Sequence, residues 1–157
     1  MTDVPEPRPF RGYYAIGVFH AKHDVNIGTL LRSAHAFGAA FIFTVGARFD
    51  KQASDTTKVW RHTPVFNFTD IDDLVTHLPS DCPLIGVELA ENAVRLTEFE
   101  HPARAIYLLG AEDHGLSEDA LARCHQVVQI PGPSRCLNVA TAGSIVMYDR
   151  WTKRVRL

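Results

Sequence analysis

Hydrophobic residues in this chain fall into short apolar runs, separated by stretches where they recur every three to four positions. Tyr13 to His20 is a run of aromatic and β-branched residues that ends in the polar Lys22, His23 and Asp24, which predicts a buried strand. Ile27, Leu30, Leu31, Ala34 and Phe37 follow helical spacing, with Asn26 as the expected N-cap and Gly38 as the stop. Ala40 to Val45 predicts a second strand, and further strands are expected at Val65 to Phe68, Leu84 to Leu89, Ala105 to Leu109 and Val127 to Ile130. Helices are expected at Ile71 to His77 and at Ser117 to Cys124; Ser117 caps the second and Glu118 and Asp119 complement its positive first turn. Apolar strands alternating with amphipathic helices define an α/β fold with a mainly parallel sheet.

Two segments depart from this alternation. From Gln129 the chain reads through Pro131, Gly132 and Pro133, whose fixed φ angles predict a shaped loop. A C-terminal helix is expected next, with Leu137 and Asn138 in its first turn and little side-chain bulk at Ala140, Ala142, Gly143 and Ser144, so that another backbone can approach closely. Gly46 to Thr63 has no strand character, although Asp55 to Arg61 could form a short helix. It mixes Arg48, Lys51, Lys58 and Arg61 with Trp60, a composition suited to RNA phosphates and bases, or simply to a solvated loop pinned by a packed Trp60.

Composition narrows the class. At 157 residues the chain is long enough for one core, with residues 1–12 expected as an extended arm and 13–157 as a single domain. Hydrophobic residues make up 46% of it, yet no run is long enough to cross a bilayer, and the proline-punctuated start lacks the apolar core of a signal peptide. A cytoplasmic protein without membrane association is expected. Cys82, Cys124 and Cys136 are widely spaced and fit free thiols in a reducing compartment.

The net charge of −2 hides an asymmetry: residues 1–61 hold eight Lys and Arg against five Asp and Glu, and residues 62–157 hold eight against thirteen. Local basic patches are therefore compatible with an acidic whole. His20 and His23 lack the spaced third and fourth ligands of a zinc site, so no metal is expected. The chain contains no G-x-G-x-x-G, no P-loop and no G-x-S-x-G elbow, which argues against dinucleotide, nucleoside triphosphate and hydrolase chemistry.

Three stretches, in order, carry the remaining signal: N-I-G-T-L-L-R-S-A-H-A-F-G from Asn26, L-L-G-A-E-D-H-G-L-S from Leu108, and the segment from Gln129 to Trp151. Together they resemble the three motifs of the SpoU/TrmH-type RNA 2'-O-ribose methyltransferases of the SPOUT superfamily, over about residues 13 to 151. The resemblance implies a C-terminal deep trefoil knot, a homodimer with RNA lying across both subunits, and S-adenosyl-L-methionine as methyl donor. It implies transfer RNA as substrate in preference to ribosomal RNA, since no separate N-terminal RNA-binding domain is apparent; a catalytically inactive RNA-binding module is the alternative from another class.

The same resemblance assigns residues. Arg32 falls on the arginine that handles the ribose hydroxyl and adjoining phosphate; by helical spacing alone it lies about 160° from the apolar stripe and reads as a surface arginine. Asn26, Glu112 and Asn138 match the other motif positions, and Glu112 is implied to fix the cofactor loop and the arginine. Val87, Gly110, Ile130, Cys136 and Leu137 match the cofactor pocket. Cys136 stands where many members have serine, and a thiol is the poorer hydrogen-bonding group.

Overall fold

A computed structural model of the chain describes residues 11–47, 49, 58–133 and 137–154. Seven strands form one sheet: β1 (Tyr13–Phe19), β2 (Phe41–Val45), β3 (Val65–Phe68), β4 (Leu84–Val87), β5 (Val94–Arg95), β6 (Arg104–Leu109) and β7 (Gln126–Gln129). Their spatial order is β3-β2-β1-β6-β4-β7-β5, and every pairing is parallel. β1 and β6 lie side by side at the centre, with Ile16 opposite Tyr107 and Val18 opposite Leu109. Helices cover both faces. Tyr14, Ile16 and Val18 pack with Ile27, Leu30 and Val146 on one side, under α1 (Asp24–Ala36) and α4 (Val139–Arg154). Ala15, Phe43 and Leu108 face Ile71, Leu74 and Ala120 on the other, under α2 (Ile71–Thr76) and α3 (Glu118–Arg123). Burial on both faces explains why the strands read as continuous apolar runs rather than as alternation.

The element boundaries show what local patterning misses. Asn26 is not the N-cap of α1; the helix begins at Asp24 with the extended His23 (φ −124°) in the capping position. The Asn26 side chain is thereby free to reach other loops, as described below. Gly38 ends the helix as expected: at φ +73° its N–H donates to His35 O (3.3 Å), and the Ala39 N–H donates to Ala34 O (2.8 Å), the paired bonds of a Schellman stop. β1 stops one residue early because His20 turns to φ +50°. β4 stops at Val87 rather than Leu89, and the two-residue β5 was too short to leave a periodic signature. Ser117 caps α3 as expected, accepting from the Ala120 N–H at 3.1 Å.

α4 begins at Val139, so Leu137 and Asn138 precede it instead of forming its first turn. Asn138 is the cap: its side-chain oxygen accepts from the N–H groups of Ala140 (2.9 Å) and Thr141 (3.3 Å). The small-residue expectation is met at Gly143, where a Cβ would come within 2.4 Å of Leu30 and 3.0 Å of Leu109. Ser144 donates to Ser33 across the same crossing at 2.8 Å.

In the segment expected to touch RNA, Val59–Arg61 form one 3-10 turn. Trp60 is partly buried against the core, and Arg61 stacks 5.4 Å from its ring centre. Arg48 and Lys51 lie outside the described residues, as do residues 55–57 of the short helix expected from Asp55 to Arg61. Cys82 and Cys124 are free thiols, and burial pushes the Cys124 thiol up to about 11.

At the edge of the sheet where the strands begin, the far end of α4 is tied down by a buried polar network. Arg150 donates to the carbonyls of Pro102 (2.7 Å) and Ala103 (2.9 Å) and to the Tyr107 hydroxyl (3.2 Å), and stacks over Tyr14. His101 bridges the Tyr107 hydroxyl (2.6 Å) and the Asp149 carboxylate (2.8 Å). Burial lowers the His101 pKa to about 4 and raises that of Tyr107 to about 12.

Candidate active site

Because every strand runs the same way, all C-terminal ends open on one edge, where parallel α/β sheets build ligand sites. The loops after β4, β6 and β7 and the start of α4 surround a cavity of about 280 Å³ there. Val87, Leu109, Ile130 and Leu137 give it apolar walls, and Gly110 and Ala111 expose backbone to it. Of the residues expected in a cofactor pocket, Val87, Gly110, Ile130 and Leu137 all line this one cavity. Cys136 lies outside the described residues.

The loop after β6 is shaped by close backbone approach. Ala111 and Gly115 exchange backbone hydrogen bonds of 3.1 and 2.9 Å, and a Cβ on Gly110 would sit 2.6 Å from the Gly115 backbone. Gly115 itself has φ +64°.

The predicted polar residues converge by hydrogen bonding. Asn138 donates to the Asn26 side-chain oxygen at 2.9 Å, and Asn26 donates to the Glu112 carboxylate, which also lines the cavity. Residues 26, 112 and 138, far apart in sequence, thus form a continuous chain across the openings of β1, β6 and α4. The other Glu112 oxygen lies 3.4 Å from His23 Nε2. Arg32 stands apart. It is exposed on the outer side of α1, its described bond runs to Thr29 on the same helix (3.4 Å), and it does not line the cavity. Glu112 was expected to hold both the loop and the arginine, but its described partners are Asn26 and His23.

Glu88 also holds the loop, and sequence reasoning overlooked it. One of its carboxylate oxygens accepts from the Leu116 N–H at 2.8 Å and the other from the Leu89 N–H at 2.9 Å. The signal was the one that singled out Glu112: a carboxylate directly after an apolar parallel strand. Lys22 and Asp113, which pair at the rim, were also missed. Glu88, Glu112 and Asp113 make the described cavity lining acidic, and among the described residues no lysine or arginine lines it. Apolar walls with carboxylates at the mouth fit a ligand that combines a ring system with positive charge. His20 and His23 do not converge: His20 packs on Phe19 while His23 faces Glu112.

A parallel α/β domain with this cavity at the strand ends and this three-motif chain of polar residues belongs to the SpoU methylase class. The chain is a member of the SpoU rRNA Methylase family, whose pattern matches residues 14–148. It is 29% identical over 86% of its length to the tRNA (guanosine(18)-2'-O)-methyltransferase of Escherichia coli K12, covering 60% of that protein. It is 25% identical over 83% of its length to the 23S rRNA (guanosine-2'-O-)-methyltransferase RlmB of Acinetobacter baylyi, covering 56% of it. The chain therefore spans little more than half the length of these curated relatives. Its fold matches the AdoMet-bound rRNA methyltransferase of Sinorhizobium meliloti with a TM-score of 0.82 at 21% identity, over 94% of this chain and 59% of the other.

Proposed function

We propose that this protein transfers a methyl group from S-adenosyl-L-methionine to a ribose 2'-hydroxyl of RNA, with transfer RNA as substrate. The observation that carries the reading is the joining of the three family motifs at one site, through the Asn138–Asn26–Glu112 chain beside the cavity. The higher identity to a transfer RNA enzyme favours that substrate; the family description and the relative acting on 23S RNA support ribosomal RNA as the second reading.

When bound, S-adenosyl-L-methionine supplies an electrophilic methyl carbon, and the electron pair of the broken carbon–sulfur bond stays on sulfur. Val87, Gly110, Ile130 and Leu137 would hold the donor, so that the reacting carbon is fixed in place. Glu112, Asn26 and Asn138 keep the three loops in register. Arg32 orients the ribose and its phosphate and stabilises charge as the hydroxyl proton leaves. A guanidinium is a poor proton acceptor but a good fork for two oxygens. Arg32 is exposed and does not line its own cavity, which suits a homodimer in which it serves the partner's. Tyr148 and Ile145 on α4, 57% and 36% exposed, supply an apolar surface for that pairing. The tight seat of α4 at Gly143 agrees with a trefoil-knotted C-terminal segment. Residues 13–157 act as one cytoplasmic SPOUT domain, and Trp60 and Arg61 contact the RNA. Among the described residues no helix is long and apolar enough to cross a membrane.

The test is calorimetric titration with S-adenosyl-L-methionine, followed by methylation of unmodified transfer RNA and, separately, ribosomal RNA. Saturable heat with methyl groups on transfer RNA riboses is expected. Binding without transfer to either RNA would leave a methyl-donor-binding module without the activity. No heat at saturating ligand would refute the reading outright.

A further inference from the structure

The loops after β4 and β6 are joined by one side chain, and that side chain lies outside the three family motifs. Glu88 follows the last residue of β4, and its two carboxylate oxygens take the N–H of Leu89 in its own loop (2.9 Å) and of Leu116 beyond the β6 loop (2.8 Å). Both loops line the cavity, and Glu88 lines it between them. The fit is close: Gly115 has a φ of +64°, which favours glycine, and a Cβ there would come within 2.2 Å of the Glu88 carboxylate and displace it. A charge-assisted bond to a backbone amide is among the stronger hydrogen bonds, and a carboxylate that spans two loops sets their separation directly.

We infer that Glu88 is a positioning residue of the donor cavity, and that it sets the gap between Leu89 on one wall and Gly115 on the other. The inference rests on the reading of the cavity as the methyl-donor site. Removing the carboxylate leaves the amides of Leu89 and Leu116 to water and frees the two walls to drift apart. Donor affinity then falls because part of the binding free energy goes into re-forming the gap.

The experiment measures S-adenosyl-L-methionine affinity by calorimetry for the wild type, Glu88→Ala, Glu88→Gln, Gly115→Ala and the Glu88→Ala/Gly115→Ala pair, with each melting curve recorded alongside. Glu88→Ala is expected to weaken the donor at least tenfold at a temperature where it is fully folded. Glu88→Gln, which keeps one acceptor oxygen and the shape, should recover part of that loss. Gly115→Ala should cost less in the Glu88→Ala background than in the wild type, since the atom it collides with is gone. A role confined to stability would lower the melting temperature and leave affinity below it unchanged. Affinity within twofold of wild type for both Glu88 variants, or for Glu88→Gln if Glu88→Ala does not fold, overturns the inference and leaves the donor-site reading standing. A wild type that binds no donor overturns both.

Discussion

The two ends of α4 are built from opposite materials. At its C-terminal end Arg150, Lys153 and Arg154 bond to the carbonyls of Leu96, Phe99, His101, Pro102 and Ala103, and the His101 side chain is completely buried. At its N-terminal end Asn138 is exposed and meets Asn26 and Glu112 in a chain that water can reach. Buried polar groups are costly to leave unpaired, so the first end fixes the helix. Exposed ones add little stability, so the second end keeps polar groups where a substrate can engage them. The helix is thus clamped at one edge of the sheet and offers its other end to the cavity.

The comparison can be broken most forcefully at the clamp. Arg150→Met removes the donor to the carbonyls of Pro102 and Ala103 and to the buried Tyr107 hydroxyl, at a cost of about 1–3 kcal/mol for a group left unpaired. Chemical denaturation should show a loss of about 3 kcal/mol or more, with donor affinity unchanged in the fraction that remains folded. An unchanged unfolding midpoint would show that the network is ornamental.

The same end should make the fold acid-sensitive. Unfolded, His101 takes up a proton near its ordinary pKa of 6.5; folded, it resists until about 4. Its contribution is therefore fully present above pH 6.5 and is lost as the pH falls through that interval, on the order of 3 kcal/mol in all. Denaturation midpoints measured from pH 7 to pH 4 should fall for the wild type and flatten for His101→Gln. Parallel slopes for the two proteins would remove His101 from the account.

At the other end the balance reverses. Asn138→Ala loses the helix cap, worth about 1 kcal/mol, and the link to Asn26. Stability should fall by about that amount, while single-turnover methyl transfer falls more than tenfold. A rate loss no greater than the small loss of stability explains would make Asn138 a cap and nothing more.

Much of this arrangement was legible in the chain, and the parts that were not share a cause. Apolar runs located six of the seven strands, and in β1, β2, β4 and β6 burial on both faces leaves few polar interruptions; β5, two residues long, had no run to leave. Motif matching brought Val87, Gly110, Ile130 and Leu137 to one cavity. The errors lie in polar side chains whose partners are distant in sequence. Asn26 looked like a cap because local spacing offered it that role, and only the positions of Glu112 and Asn138 show why its side chain turns elsewhere. Glu88 was overlooked because its main partner is the amide of Leu116, 28 residues away. The clamp around Arg150 left no local signal, since nothing in the flanking sequence says that Tyr14, Pro102 and Tyr107 converge on it.

The account's central claim is that the exposed end of the molecule carries the chemistry, with Arg32 acting on the ribose while contributing little to the fold. The most direct measurement is single-turnover methyl transfer to unmodified transfer RNA by Arg32→Ala, with alkali-resistant linkages mapped afterwards and melting and donor affinity recorded on the same sample. The predicted result is stability within about 0.5 kcal/mol of wild type, nearly unchanged donor affinity, and a rate at least about a hundredfold lower, with little rescue by lysine. A near-wild-type rate on a confirmed substrate, or methyl groups found on bases instead of riboses, would contradict it.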